Sequence, residues 1–325
     1  MILTRRSLLA SAAALAATPK RSAFAADEWP TRIVRMISPY GAGGANDISL
    51  RIFNEYFERD LKQQFMVENK PGAGTRIANE TVAHAAPDGY TFLYAAAPYA
   101  TAEALFGKLN YARSELRPVA MAVVAPIFLI INAKSDYTTL PELIAYGKAK
   151  KDGLTFGSPG PGSQPHLAAE LLFRTAGVKG LNIPFRGDSA AYTELLAGRV
   201  DATFTAISTA LPHIKAGNFR VLGVASAERS TIYPDAPTLV ELGFPQIVAA
   251  GWYGFMAPAA TPAPIVAKLE STVLRALQDA TVTQKLLAQG LEAHGRSGAD
   301  FATFIDDETR KWSKLIEDAG LKGQP

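Results

Sequence analysis

Short β-type runs alternate with amphipathic helices along this chain, and the alternation starts twice. The first block reads as strand 33–38, helix 47–61, strand 65–68, helix 76–86 and strand 90–95. In the first helix Ile48, Ile52, Tyr56 and Leu61 recur at helical spacing. The second block reads as strand 128–132, helix 140–151 capped by Thr138 or Thr139, strand 154–157, helix 164–176, strand 181–185, helix 189–197 and strands 202–207 and 220–225. A further apolar β-type run covers 249–256, and helices are expected over 265–277, 281–289 and 300–319. Such alternation predicts an α/β chain whose mostly parallel sheets are flanked by helices. A length of 325 residues suits two lobes better than one core.

Two glycine-rich loops link a strand to a helix at corresponding places. Residues 39–46 hold Gly41, Gly43 and Gly44, and residues 158–163 hold Gly160 and Gly162. Strand–loop–helix units of this kind present backbone N–H groups at the positive end of a helix dipole, where anions bind. In parallel α/β sheets this is also the edge at which ligands sit. Neither loop completes G-x-G-x-x-G, and no G-x-x-x-x-G-K-[ST] occurs, so a nucleotide cofactor is not expected. Arg186, after an apolar strand, is either a carboxylate partner or a surface arginine. Asp47 is either a receiver of a ligand ammonium or a helix cap.

Other chemistries find little support. There is no cysteine, which excludes disulfides and thiolate metal sites. His84, His166, His213 and His294 are scattered and form no metal-binding pair. No G-x-S-x-G elbow is present. Ser163 and His166 stand three residues apart, leaving a hydrolase as the weaker alternative to a binding protein. No catalytic residue, metal or cofactor is therefore assigned.

The N-terminus reads as an export leader over residues 1–25. Arg5 and Arg6 precede an apolar run, and Ala23-Phe24-Ala25 forms an A-x-A signal with cleavage expected before Ala26. Thr4-Arg5-Arg6-Ser7-Leu8-Leu9 is also close to a twin-arginine signal. Either route leads to the periplasm. With Arg5, Arg6, Lys20 and Arg21 set aside, the 33 basic residues fall almost level with the 30 acidic ones. The basic character belongs to the leader, and nucleic acid is not an expected partner.

Several motifs, in order, resemble the receptor of tripartite tricarboxylate transporters, also called the Bug family. They are Gly43-Gly44-Ala45-Asn46-Asp47, Val67-Glu68-Asn69-Lys70-Pro71-Gly72-Ala73-Gly74, and Ala86-Pro87-Asp88-Gly89-Tyr90-Thr91. They continue with Gly157-Ser158-Pro159-Gly160-Pro161-Gly162-Ser163-Gln164-Pro165-His166, Pro184-Phe185-Arg186-Gly187 and Trp252-Tyr253-Gly254-Phe255. The resemblance implies a two-lobed, type II-like periplasmic binding fold that closes like a flytrap on a ligand in the cleft. It implies lobes divided as 26–127, 128–245 and 246–325, with the last segment returning to the first lobe.

The expected ligand-binding residues are Tyr40, Gly43, Gly44, Asn46, Asp47, Ala97, Ser158, Gly162, Ser163, His166, Arg186, Gly187, Thr205 and Ala206. The expected ligand is a small carboxylate: a dicarboxylate, an amino acid or an aromatic acid. The expected partner is a tripartite-transporter permease or a membrane sensor kinase. Tyr40 and Ala42 stand where the family usually has phenylalanine and proline, and Arg186 stands where it usually has lysine. The extra hydroxyl of Tyr40 bears on which ligand fits.

Overall fold

A computed structural model describes residues 28–158, 162–185 and 188–323. The leader and its cleavage point lie outside the described residues, as do Arg186 and Gly187. The strands are β1 (Val34–Ser38), β2 (Phe65–Asn69), β3 (Thr91–Ala96), β4 (Leu116–Ala125), β5 (Ile127–Asn132), β6 (Leu154–Ser158), β7 (Gly180–Pro184), β8 (Ala202–Ala206), β9 (Phe219–Val224), β10 (Gly251–Pro258) and β11 (Glu292–Ser297). The helices are α1 (Ala45–Leu61), α2 (Arg76–Ala83), α3 (Pro98–Phe106), α4 (Leu140–Ala149), α5 (Gln164–Thr175), α6 (Asp188–Leu196), α7 (Ile207–Lys215), α8 (Ala263–Ala276), α9 (Ala280–Ala288) and α10 (Gly298–Asp318).

Two sheets result, ordered β11-β4-β10-β3-β1-β2 and β7-β6-β8-β5-β9. Both are mixed, where mostly parallel sheets were expected. Pairing is parallel for β1 with β2 and β3, and for β6 with β7 and β8. It is antiparallel wherever β4, β5 or β10 takes part. The physical reason lies at Pro126. The apolar stretch 119–131 is two strands broken by that proline, which has no N–H to offer a ladder. β4 ends in the first sheet, and one residue later β5 enters the second. The chain returns beside this crossing: Ala225 N–H donates to Ile127 O, Ala249 N–H to Ala225 O, and Gly251 pairs with Ala125. Two adjacent strand segments therefore carry the chain between the sheets.

The first core centres on four fully buried rings, Phe53, Phe57, Tyr94 and Phe255. Phe255 meets each of the others at 4.7–5.5 Å between ring centres. The C-terminal segment, expected to complete the first block, does not stay with one core. In α10, Phe301 and Ile305 pack with Trp252 and Met256 of the first sheet. Trp312, Leu315 and Ile316 pack with the residues around β6 and α5 of the second. The helix repeats its apolar stripe over 21 residues, long enough to reach both cores. Trp312 is fully buried, and its indole N–H donates to Glu308 at 2.7 Å.

Candidate functional site

β1, β3, β6 and β8 each run into a helix at their carboxyl ends. The residues at these transitions are Gly44 before α1, Ala97 before α3, Ser163 before α5 and Ala206 before α7. All four are among the residues expected from sequence. Serine, threonine, aspartate and asparagine are the residues that stabilise such positions, because their side chains accept the first free N–H groups of the helix. Gly44, Ala97 and Ala206 cannot do so, and none of these three helices has a side-chain cap. The omission costs the two alanine-capped helices about 1 kcal/mol each and the glycine-capped α1 only about a few tenths, and it leaves donors at the sheet edge. At α1 the first backbone acceptance is from Ile48 by Gly44 O, so Ala45 and Asn46 keep N–H groups without an intrahelical acceptor.

The two glycine loops are built by one device. Gly43 (φ 85°) and Gly162 (φ 74°) occupy the left-handed region that favours glycine, each one residue before the helix cap. Each donates its N–H to a side chain in the first helical turn: Gly43 to Asp47 Oδ2 at 3.0 Å, Gly162 to His166 Nδ1 at 2.9 Å. These bonds bear on several expectations. The N–H of Gly162 is taken up by the His166 ring. Asp47 is 2 % exposed and fully engaged, since it also accepts from Arg51 Nε and Nη2 and from Asn69 Nδ2. Burial opposes its charge, but the bonds from Arg51, Gly43 and Asn69 outweigh it and hold its carboxyl below the usual range. Its side chain braces the loop; it is not free to receive a ligand ammonium.

Other side chains are spent in the same way. Asn46 accepts from Ser38 Oγ at 2.8 Å and donates to Tyr94 O. Thr205 is completely buried and bonds the hydroxyl of Tyr192, which also meets Thr209 at 2.7 Å. The reason is common to all: a short loop that must present backbone donors has to be fixed by the polar side chains around it. Ser158 is buried at the end of β6, where its carbonyl accepts from Phe185 N–H.

His166 is a bracing group rather than a base. Its ring is 2 % exposed, stacks on Phe156, and uses Nδ1 to accept from Gly162. Ser163 Oγ accepts from the backbone N–H of His166, not from its ring. Burial lowers the imidazole pKa from 6.5 to about 4. The folded state therefore binds fewer protons than the unfolded one between these values. Its contribution is fully present above pH 6.5 and is lost as pH falls towards 4, by roughly 3 kcal/mol in all. Acid denaturation followed by circular dichroism should show this slope. His166→Gln should flatten it; an unchanged slope would assign it to other groups.

The sequence reading missed some residues here. Tyr253 of β10 packs with its ring tilted against Tyr94, 5.7 Å between centres, and Tyr40 lies close enough to it to be affected by its phenol. Tyr40 is 37 % exposed overall, yet burial of its hydroxyl end, with Tyr253 beside it, pushes its pKa well up. Strand alternation was the available signal for Tyr253, since it falls on the same face as Phe255. Gln164, the first residue of α5, is 7 % exposed, and neither amide atom has a partner among the described residues. Nothing in local spacing marks it. Among the described residues no cluster able to hold a metal occurs, and no helix is long and apolar enough to cross a membrane.

Residues 50–321 match the family model described as the tripartite tricarboxylate transporter family receptor. The chain is 35% identical to Protein BugT of Bordetella pertussis over 300 residues, covering 91% of this chain and 92% of that protein. It is similar to the periplasmic binding protein BugD, with a TM-score of 0.77 and 29% identity over 90% of this chain and 99% of that one. It is also similar to a Rhodopseudomonas palustris protein solved with adipate. There the TM-score is 0.80 and the identity 30%, over 90% of this chain and 98% of that one.

Proposed function

The chain belongs to the tripartite tricarboxylate transporter receptor family, and on that premise we propose that it holds a small carboxylate between its two sheets at the uncapped helix ends. It is a periplasmic solute-binding protein and not an enzyme. The observation that carries the binding reading is the choice of glycine and alanine at the caps of α1, α3 and α7. An anion supplies the acceptor that those caps lack, and the helix dipoles favour its charge. The adipate held by the R. palustris relative is an anion of this class.

In this reading the ligand meets Ala45 and Asn46 N–H from one sheet and the Ser163 end of α5 from the other. Tyr40, Tyr253 and Gln164 offer polar groups for its remainder. The bound receptor delivers its ligand to the membrane permease of the transporter. The leader over residues 1–25 accounts for its export.

Thermal denaturation with a panel of aliphatic and aromatic carboxylates, each beside its neutral amide, tests the proposal. One or more acids should raise the melting temperature while the amides do not. At a hundredfold excess over Kd the stabilisation is about 2.7 kcal/mol. Equal stabilisation by the amides would exclude an anion site, and so would no shift with any acid. The bound acid should be recovered unchanged.

A further inference from the structure

Asp188 opens α6 at the carboxyl end of β7, whose Pro184 lies opposite Ser158 of β6. It therefore stands on the same edge of the second sheet as the Ser163 loop and Thr205. Its side chain is partly buried. Among the described residues it has neither a hydrogen bond nor a cationic partner. Burial raises its pKa, as expected of a carboxylate with nothing to offset its desolvation. Its charge is felt by Tyr192 on its own helix and by Tyr253 on β10 of the other sheet. Tyr253 pairs with Ala96 at the carboxyl end of β3, so Asp188 stands near the matching edge of the first sheet.

Asp47, in the first turn of α1 on the first sheet, contrasts with it: that carboxylate is neutralised by a bidentate Arg51. The hydroxyl of Tyr192 is taken up by Thr205 and Thr209 and does not compensate Asp188. The site has two unlike ends. Among the described residues, one presents backbone donors with no acceptor, and the other presents an acid with no donor. A dicarboxylate satisfies the first end and is repelled at the second. A carboxylate that also carries a protonated nitrogen satisfies both, because a partly buried charge gains most from a direct counter-ion.

We infer that Asp188 receives a cationic nitrogen of the ligand, so that this receptor takes amino carboxylates in preference to diacids. The inference rests on the carboxylate-site reading above and narrows it.

Chain-matched pairs test it: β-alanine with succinate, γ-aminobutyrate with glutarate, and para-aminomethylbenzoate with para-carboxymethylbenzoate. Melting shifts and calorimetry are measured on the parent, Asp188→Asn and Asp188→Ser. In each pair that binds, the parent should favour the amino acid. Both variants should weaken the amino acid on the order of tenfold, a typical loss for a close charge pair, and tighten the diacid. Parent preference for the diacids, or a ranking unchanged in both variants, would overturn the inference and leave the carboxylate site standing. No binding by any member of any pair would overturn both.

Discussion

Gly44→Asp is expected to fold at least as well as the parent and to lose its ligand. A Cβ at Gly44 meets nothing nearer than Gly41 O at 3.8 Å, and φ is −82°, a value open to any residue. Aspartate there becomes the cap that α1 lacks. It accepts the free N–H groups of the first turn and places a charge favourably on the dipole, together worth about 0.5–1 kcal/mol. The same carboxylate then fills the position of the ligand and repels it. Loss of two charge-assisted hydrogen bonds alone comes to about 3 kcal/mol, or on the order of a hundredfold in affinity. Gly44→Asn caps without charge and should fall between; Gly44→Ala should bind nearly as well as the parent. Calorimetry with the panel acid that gives the largest melting shift reads all three. An Asp variant that binds like the parent would remove the first loop from the site.

Phe255→Ala is expected to be the most destabilising of the single changes considered. The ring is completely buried and contacts Phe53, Phe57 and Tyr94 at once. Those partners sit on a helix and a neighbouring strand, so the space left cannot close by one side chain turning. Truncation of a core phenylalanine costs about 3–5 kcal/mol. Tyr94 also packs against Tyr253, so the wall carrying that phenol loses its support. Urea denaturation should show the midpoint falling sharply with little change in slope. Phe255→Leu should recover most of the loss. A cost below about 1 kcal/mol for Phe255→Ala would mean that the aromatic cluster repacks.

The α/β class was legible because the strands of the two glycine loops carry strong β-type runs and their helices strong apolar periodicity. Three of the elements left out, α3, α7 and β11, share one property, a weak pattern. α3 is buried on nearly every side and so shows no stripe. α7 contains Pro212, which argues against a helix in sequence alone. β11 reads Glu292-Ala293-His294-Gly295-Arg296-Ser297, a polar edge strand with a break in register.

Within the site, sequence marked where the chain turns but not which atoms are used up there. Asn46, Asp47 and His166 have the chemistry of ligand contacts. Only three-dimensional placement showed each of them committed to Ser38, Arg51 or Gly162. Asp188 escaped for the opposite reason, since an acid at the start of a helix is ordinary until its surroundings show that nothing among the described residues pairs with it.

The way α10 serves both cores has a consequence for building chimaeras. Residues 127–224 hold every strand of the second sheet and invite exchange between receptors as a cassette that would carry ligand choice with it. Such a graft would arrive without Trp312, Leu315 and Ile316, which fill its base from the far end of the chain. The transplanted piece would then be seated on a foreign helix end. A swap that also moves residues 308–321 keeps Trp312 with its Glu308 partner and with the pocket it was fitted to. The unit of exchange in this receptor is therefore two stretches of chain, far apart in sequence.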